Sequence, residues 1–316
     1  MKRFMVAAGI IAGITFGAAV AQTKPTIPVI VKDLTSPYWR AVLAGARKAG
    51  QDLGVNVVGL GTSDANGQIG ILAKAVATNP AAIVIAPADF AALGKPIDEA
   101  AKKVKIIGIE SAADTKAMTS LLATDNVNAG RVAADALAVA ITKSYADTEG
   151  DVAIIAAMPR IASLDQRAKG FKEMVAAKYG ALDIVAEKTA DGNVATGINI
   201  MKDLIASAAD LRGVFVSDPV MTLAVGEAIA EKKSDDKINV VGVGSDEKLI
   251  KFLADDVITG LVVEDPFRMG YDGVKTALAA SKGEQVSANV DTGVTLVTKA
   301  NMNSARSQEL LKPKVE

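Results

Sequence analysis

Short apolar runs alternate with stretches of helical periodicity from residue 26 almost to the end of the chain. The runs are rich in valine and isoleucine, which is typical of buried strands. Between them one apolar face recurs every three or four residues, which predicts amphipathic helices. We predict strands at 28–31, 56–60, 82–86, 106–109, 121–123, 152–156, 184–186, 213–217, 239–243, 260–263 and 294–298, and helices at 38–53, 67–78, 95–102, 165–178, 196–209, 221–232, 247–254 and 267–281.

This alternation predicts an α/β fold with parallel sheets joined by right-handed crossovers. The second half of the chain repeats the first. The run at 83–86 is matched at 214–217, the run at 105–109 is matched at 238–243, and residues 45–48 and 169–172, each with a glycine, hold the same place in the first helix of each half. The repeat is far too long for a solenoid, so we predict two Rossmann-like lobes that face each other. Similar strand breaks at 124–126 and 264–266 predict that the chain crosses between the lobes more than once.

One strand-to-helix turn, at residues 30–39, carries two adjacent aromatic residues. Ser36 and Pro37 are favoured at the N-cap and first position of a helix. Tyr38 and Trp39 would then lie in the first helical turn, at the carboxyl end of a strand, where open α/β sheets bind ligands. Trp39 also begins the apolar face of the helix, so a core role is equally open for it. We expect at least one of the two to face a cleft.

Polar residues follow several predicted strands at their carboxyl ends. Carboxylates accept hydrogen bonds from vicinal hydroxyls, and an aromatic face covers the C–H side of a sugar, so the set predicts a polyhydroxylated ligand. Acids also stabilise helix N-termini, and this alternative is stronger for Asp246 than for Glu110. The residues concerned are Glu110, Ser111, Ser217, Asp218, Gly244, Ser245, Asp246, Glu264 and Asp265.

Composition excludes several classes of function. The chain contains no cysteine and no histidine, which excludes the usual zinc sites, cysteine nucleophiles and Ser-His-Asp triads. A net charge of −1 without a long basic block argues against nucleic acid as a partner. The G-x-G sequence at 242–244 lacks the third glycine of a dinucleotide site. We therefore predict no catalytic residues, no cofactor and no metal.

The first 21 residues have the pattern of a cleavable signal peptide. Lys2 and Arg3 form a positive start, residues 4–20 are apolar, and the small residues at 19–21 provide a cleavage site. A membrane anchor is the alternative, since the apolar run is marginally long enough to span a bilayer. The small-residue site favours cleavage, so we predict export to the periplasm.

Several motifs between residues 26 and 300 occur in the order found in one family. The chain resembles the ribose-binding-protein-like type I periplasmic sugar-binding proteins of ABC importers. The motifs lie at 36–39, 45–46, 83–87, 124–126, 166–171, 240–242 and 265–266. The resemblance implies two lobes that are joined by three hinge crossings and close on one ligand. It places the N-terminal lobe at 24–124 plus 265–292 and the C-terminal lobe at 125–264 plus 293–316.

The resemblance also implies a set of ligand-binding residues. Ribose binders have an Asp-Arg pair where this chain has Glu110 and Ser111, so ribose itself is not predicted. Clustered acids would repel one another, and Lys32, Arg160 and Arg167 are candidates to compensate them. The implied ligand-binding residues are Ser36, Tyr38, Trp39, Glu110, Ser111, Asp165, Asp218, Gly244 or Ser245, and Glu264.

The function implied is a non-enzymatic, monomeric receptor. It would bind a monosaccharide or sugar alcohol between its lobes and deliver it to the membrane subunits of an ABC permease by hinge closure. Uncompensated acids would instead favour a cationic ligand such as an amino sugar. Two further alternatives are an exported glycosidase that uses paired carboxylates and the effector domain of a lactose-repressor-like regulator.

Overall fold

A computed structural model describes residues 24–232 and 237–313, and the predicted signal peptide lies outside them. Within these ranges the chain forms two six-stranded sheets with helices on both faces. The predicted α/β fold of two Rossmann-like lobes is therefore confirmed. No helix of the described part combines the length and apolarity needed to cross a bilayer.

The two sheets have the same architecture. In the first, neighbouring strands follow the order β11-β5-β4-β3-β1-β2, and in the second the order β12-β10-β9-β8-β6-β7. Every pair is parallel except β10 with β12. The strands are β1 (Thr26–Val31), β2 (Asn56–Gly61), β3 (Ala82–Ile85), β4 (Lys105–Ile109), β5 (Ser120–Ala123), β6 (Gly150–Ala156), β7 (Leu182–Thr189), β8 (Leu211–Val216), β9 (Asn239–Val243), β10 (Gly260–Glu264), β11 (Asn289–Asp291) and β12 (Val294–Thr298).

Helices cover both faces of each sheet, which buries the central strands completely and explains their continuous apolar runs. α1 and α9 pack on one face of the first sheet, and α2 and α3 on the other. α4 and α5 pack on one face of the second sheet, and α6, α7, α8 and α10 on the other. The helices are α1 (Pro37–Leu53), α2 (Ala65–Ala77), α3 (Phe90–Ala101), α4 (Asn126–Tyr145), α5 (Ala162–Lys178), α6 (Val194–Ser207), α7 (Pro219–Glu231), α8 (Glu247–Ala254), α9 (Pro266–Ser281) and α10 (Ala305–Leu311).

Over the residues that the structure describes, the chain passes between the sheets three times, after β5, after β10 and between β11 and β12. Two of these crossings are held together by one side chain. The Asp291 carboxylate accepts a hydrogen bond from the backbone N–H of Asp125 at 2.9 Å and from that of Gly293 at 2.8 Å. The connection between the lobes is therefore a bundle of hydrogen-bonded segments rather than a single flexible linker.

Two helices and one strand, α4, α10 and β11, were not predicted from the sequence, and α3 begins earlier than predicted. The whole of α4 was missed, because its buried face consists largely of alanine, which weakens its amphipathic contrast; the Asp125 side chain caps it. The third helix was predicted from residue 95 but begins at Phe90, where Asp89 accepts from the backbone N–H of Ala92 at 2.7 Å. Pro96 lies inside α3.

Candidate ligand-binding cleft

A cavity of about 620 Å³ lies between the lobes. Its walls come from the carboxyl end of β1 in the first sheet and from the carboxyl ends of β8, β9 and β10 in the second. The carboxyl ends of both sheets therefore face one space, as expected for a ligand site in this fold class. Five of the predicted site residues line it, namely Ser36, Tyr38, Gly244, Ser245 and Glu264.

The two aromatic residues of the first turn have different environments. Trp39 is 8% exposed and belongs to the core between α1, α9 and the sheet. Tyr38 is half-buried, and its hydroxyl lies 3.7 Å from the Met269 sulfur. The rings meet edge to face, with centroids 5.0 Å apart and planes at 84°. Tyr38 is therefore the aromatic residue that faces the cleft, and Trp39 supports it from the core.

A cation beside these rings compensates one of the predicted acids. The Lys32 ammonium lies 2.6 Å from the Glu110 carboxylate and 5.8 Å from the centroid of the Trp39 ring. Both charged side chains remain partly open to solvent, at 26% and 33% exposure. The pair therefore presents both a hydrogen-bond donor and acceptors at the carboxyl ends of β1 and β4, which lie on either side of β3.

The backbone at Glu110 has a left-handed conformation, with φ of 64°. Residues other than glycine rarely adopt it, so the surrounding contacts must hold it. The Glu110 N–H donates to the Leu122 carbonyl at 2.9 Å, and the next side chain, Ser111, donates to the Pro87 carbonyl at 3.0 Å. Neighbouring strands thus fix the direction in which the Glu110 carboxylate leaves the sheet.

Arg167 is the centre of a second charged group, in the other lobe. Its side chain is 8% exposed and lies 2.9 Å from Glu264. It also donates to the Asn126 side chain at 2.8 Å and to the Ser217 carbonyl at 3.0 Å. Because Asn126 follows one hinge crossing and Glu264 precedes another, Arg167 connects two hinge segments as well as neutralising an acid.

Asp218 is buried and caps α7. Its two oxygens accept from the backbone N–H groups of Ala157, at 2.8 Å, and Met221, at 2.9 Å. Burial raises the pKa of the Asp218 carboxyl, while these N–H groups and the Arg167 guanidinium partly oppose the rise. This side chain thus joins two loops at the wall of the cleft through hydrogen bonds that need no cation.

Other predicted residues lie further out. Asp165 is exposed in the first turn of α5, and Arg160 is exposed in the loop before it.

Ser36, which lines the cavity, occupies the N-cap position of α1, but its side chain makes no capping bond. Instead, the Asp33 carboxylate accepts from the Ser36 N–H at 3.2 Å. The predicted N-cap position of Ser36 and first helical position of Pro37 are therefore confirmed, and the capping hydrogen bond from the Ser36 side chain is absent.

Sequence reasoning missed several residues that shape the cleft. Asn126 and Met269 contact Arg167 and Tyr38, and the C-terminal Lys312 lines the cavity. The break at 124–126 pointed to the region of Asn126, but no sequence pattern indicated that a residue of α9 or of the C-terminal segment would reach the cleft.

Burial raises the pKa of the Tyr38 hydroxyl well above its usual 10.0, and the Glu264 and Glu110 carboxylates act in the same direction. A raised folded-state pKa contributes stability fully below the unfolded pKa, and the contribution is lost as the pH rises through the folded value. The free energy of unfolding of the protein minus that of Tyr38→Phe should therefore be constant to about pH 10 and shrink above it. Denaturant unfolding at several pH values measures this; a difference that stays constant well above pH 10 would contradict the assignment.

Comparisons with known proteins agree with this geometry. The sequence profile of the family described as periplasmic binding protein domain matches residues 27–285. The ribose import binding protein of Escherichia coli K12 is 26% identical over 284 residues, which cover 89% of this chain and 93% of that protein.

Two solved structures are similar over most of the chain. A carbohydrate transporter solute-binding protein from Agrobacterium radiobacter, in complex with D-arabinose, is 57% identical with a TM-score of 0.79 and covers 92% of this chain and all of that chain (100%). An ABC transporter solute-binding protein from Agrobacterium vitis with bound D-fucose is 30% identical with a TM-score of 0.74, and the match covers 90% and 99% of the two chains. These relatives are transport proteins and not enzymes, which confirms the prediction of a non-enzymatic protein.

Proposed function

Because the chain belongs to the periplasmic binding protein family, as its motifs predicted, we propose that it is the sugar receptor of an ABC importer. It binds a neutral monosaccharide or sugar alcohol in the interlobe cleft and delivers it to the membrane subunits of a permease. The observation that carries the proposal is the cleft itself, which Tyr38 and Glu264 line, and the charges of Glu110, Glu264 and Arg167 all act on the pKa of the Tyr38 hydroxyl. The lobe boundaries at 124/125, 264/265 and 292/293 are part of this proposal.

The charges of the cleft favour a neutral ligand over an amino sugar. The cationic alternative depended on acids without counter-charges. Glu110 and Glu264 each have a basic partner within 3 Å, at 2.6 and 2.9 Å, and Asp218 is hydrogen-bonded to two backbone N–H groups. A cationic ligand would have to compete with Lys32 and Arg167 for the same carboxylates. Hydroxyl groups can instead donate to the free carboxylate lone pairs and accept from the two cations.

The hinge supports delivery by closure. A ligand shifts the lobes toward the closed form only if it binds that form more tightly, which requires contacts from both sides of the cleft. Tyr38 and Glu110 follow strands of the first sheet, whereas Arg167 and Glu264 belong to elements of the second lobe. A sugar that bridges these two groups gains its full set of hydrogen bonds only when the lobes come together.

Calorimetric titration of the purified mature protein tests the proposal. The panel consists of D-arabinose, D-ribose, D-allose, D-fucose, xylitol and D-glucosamine. At least one neutral member should bind, and D-glucosamine should bind more weakly. Trp39 is the only tryptophan of the chain, so its fluorescence should change with the same midpoint. If D-glucosamine alone binds, the cationic alternative replaces this proposal, and if no member gives heat or a fluorescence change the sugar-receptor proposal fails.

Lys32→Met tests the role of the cation in the first lobe. Removing a charged donor and leaving Glu110 without its partner should weaken binding of the cognate sugar about 10- to 100-fold. Stability should change little, because the pair is partly exposed to solvent. Lys105→Met is the matched control, since Lys105 is exposed at the opposite end of β4 from Glu110. Equal affinities in the two variants would remove Lys32 from the site.

A further inference from the structure

Exposed apolar side chains concentrate at the cleft-facing edges of the two lobes. Nine large apolar residues of the described ranges are exposed, and five of them lie just after the carboxyl ends of β1, β3, β6 and β8. Their exposure ranges from 41% to 58%. We call this set the apolar rim: Leu34, Phe90, Met158, Ile161 and Val220.

The rim has equivalent members in the two lobes. Leu34 follows β1 and Met158 follows β6, and these strands hold the same place in the order of their sheets. Phe90 and Val220 lie in the first turns of α3 and α7, which follow the equivalent strands β3 and β8. A single exposed apolar residue is normal on a protein surface and needs no explanation. Exposed apolar residues that recur at equivalent places in both lobes instead indicate a common role.

The arrangement of the lobes determines which rim residues face each other. Two copies of one fold that present the same edge to a common space are related by a rotation of about 180°, and contacts across such an axis are reciprocal. The cavity lining places Ser36 and Pro37 of the first lobe opposite Pro219 of the second. Leu34 therefore lies on the side of Val220. By the same rotation, Met158 and Ile161 lie on the side of Phe90.

We propose that the apolar rim is a second interlobe contact, which forms on closure outside the ligand cavity. Leu34 packs on Val220, and Phe90 packs on Met158 and Ile161. Burial of these half-exposed side chains favours the closed form whether or not a ligand is bound, by about fivefold for each pair. The rim thereby sets the fraction of ligand-free protein that is closed, although the rim residues do not contact the ligand.

Cysteine cross-linking of the ligand-free protein tests this pairing, and the chain contains no cysteine of its own. A disulfide forms only when the two Cα atoms come within about 7 Å. The matched pairs Leu34→Cys with Val220→Cys and Phe90→Cys with Met158→Cys should cross-link under mild oxidant. The mismatched pair Leu34→Cys with Met158→Cys should cross-link at least tenfold more slowly. Equal rates in matched and mismatched pairs, or no cross-link in either matched pair, would overturn the proposal.

A second measurement tests whether the contact favours closure. The Phe90→Cys/Met158→Cys pair should cross-link about fivefold more slowly when Leu34→Ser is added. Val139→Ser, which changes a 66% exposed residue of α4 outside the cleft, should leave the rate unchanged. Equal rates in the Leu34→Ser and Val139→Ser backgrounds would overturn the role in closure and leave the rim as a surface for another protein. No sugar is used, so this outcome is independent of the proposed ligand.

Discussion

Gly45→Ala and Gly170→Ala should each lower the free energy of unfolding by about 3 kcal/mol. A Cβ atom at Gly45 would lie 1.9 Å from the Phe267 carbonyl oxygen, and one at Gly170 would lie 1.9 Å from that of Val127. Backbone atoms cannot rotate away as a side chain does, so α1 must separate from α9, or α5 from α4. Chemical denaturation with circular dichroism measures the loss.

Gly70→Ala is the matched control, because Gly70 lies inside α2 and a Cβ there meets nothing within 4 Å. Alanine should stabilise this helix by up to about 1 kcal/mol. If Gly45→Ala behaved like Gly70→Ala, the close approach of α1 and α9 would not contribute to stability. The effects at Gly45 and Gly170 should be similar, since α1 with α9 and α5 with α4 are equivalent helix pairs of the two lobes.

Most of the fold could be predicted from the sequence, because the strands are buried on both faces and most helices have one apolar face. The glycine at 45 and that at 170 also indicated a repeat. They do so for a physical reason, since each permits the same backbone contact in its own lobe. α4 escaped detection because it packs through alanine, and alanine gives little contrast between a buried and an exposed helix face.

The candidate site was predictable in its residue types but not in its pairings. Polar residues at the carboxyl ends of parallel strands follow from topology alone. The partner of each acid does not, because Lys32 meets Glu110 across 78 positions and Arg167 meets Glu264 across 97. From the sequence alone the acidic residues of the site lacked counter-charges, whereas in the folded chain Glu110 and Glu264 are paired with bases. The cationic-ligand alternative arose because these pairings were not visible in the sequence.

Arg167→Met should abolish measurable binding of the cognate sugar and lower the free energy of unfolding by about 2–3 kcal/mol. The loss leaves Glu264 without its counter-charge and removes the donor to Asn126 and to the Ser217 carbonyl. The estimate is below that for a fully buried pair, because the Glu264 side chain is 23% exposed. Calorimetric titration and denaturant unfolding measure the two effects separately.

Arg131→Met is the matched control for stability. Arg131 of α4 pairs with Glu173 of α5 at 2.8 Å, but the two side chains are 45% and 43% exposed, so its loss should cost less than about 1 kcal/mol. Adding Glu264→Gln to Arg167→Met should restore part of the stability, because no unpaired charge then remains, without restoring binding. Recovery of both would assign Arg167 to neutralisation alone; recovery of stability without binding shows that the guanidinium itself is needed where two hinge segments meet the cleft.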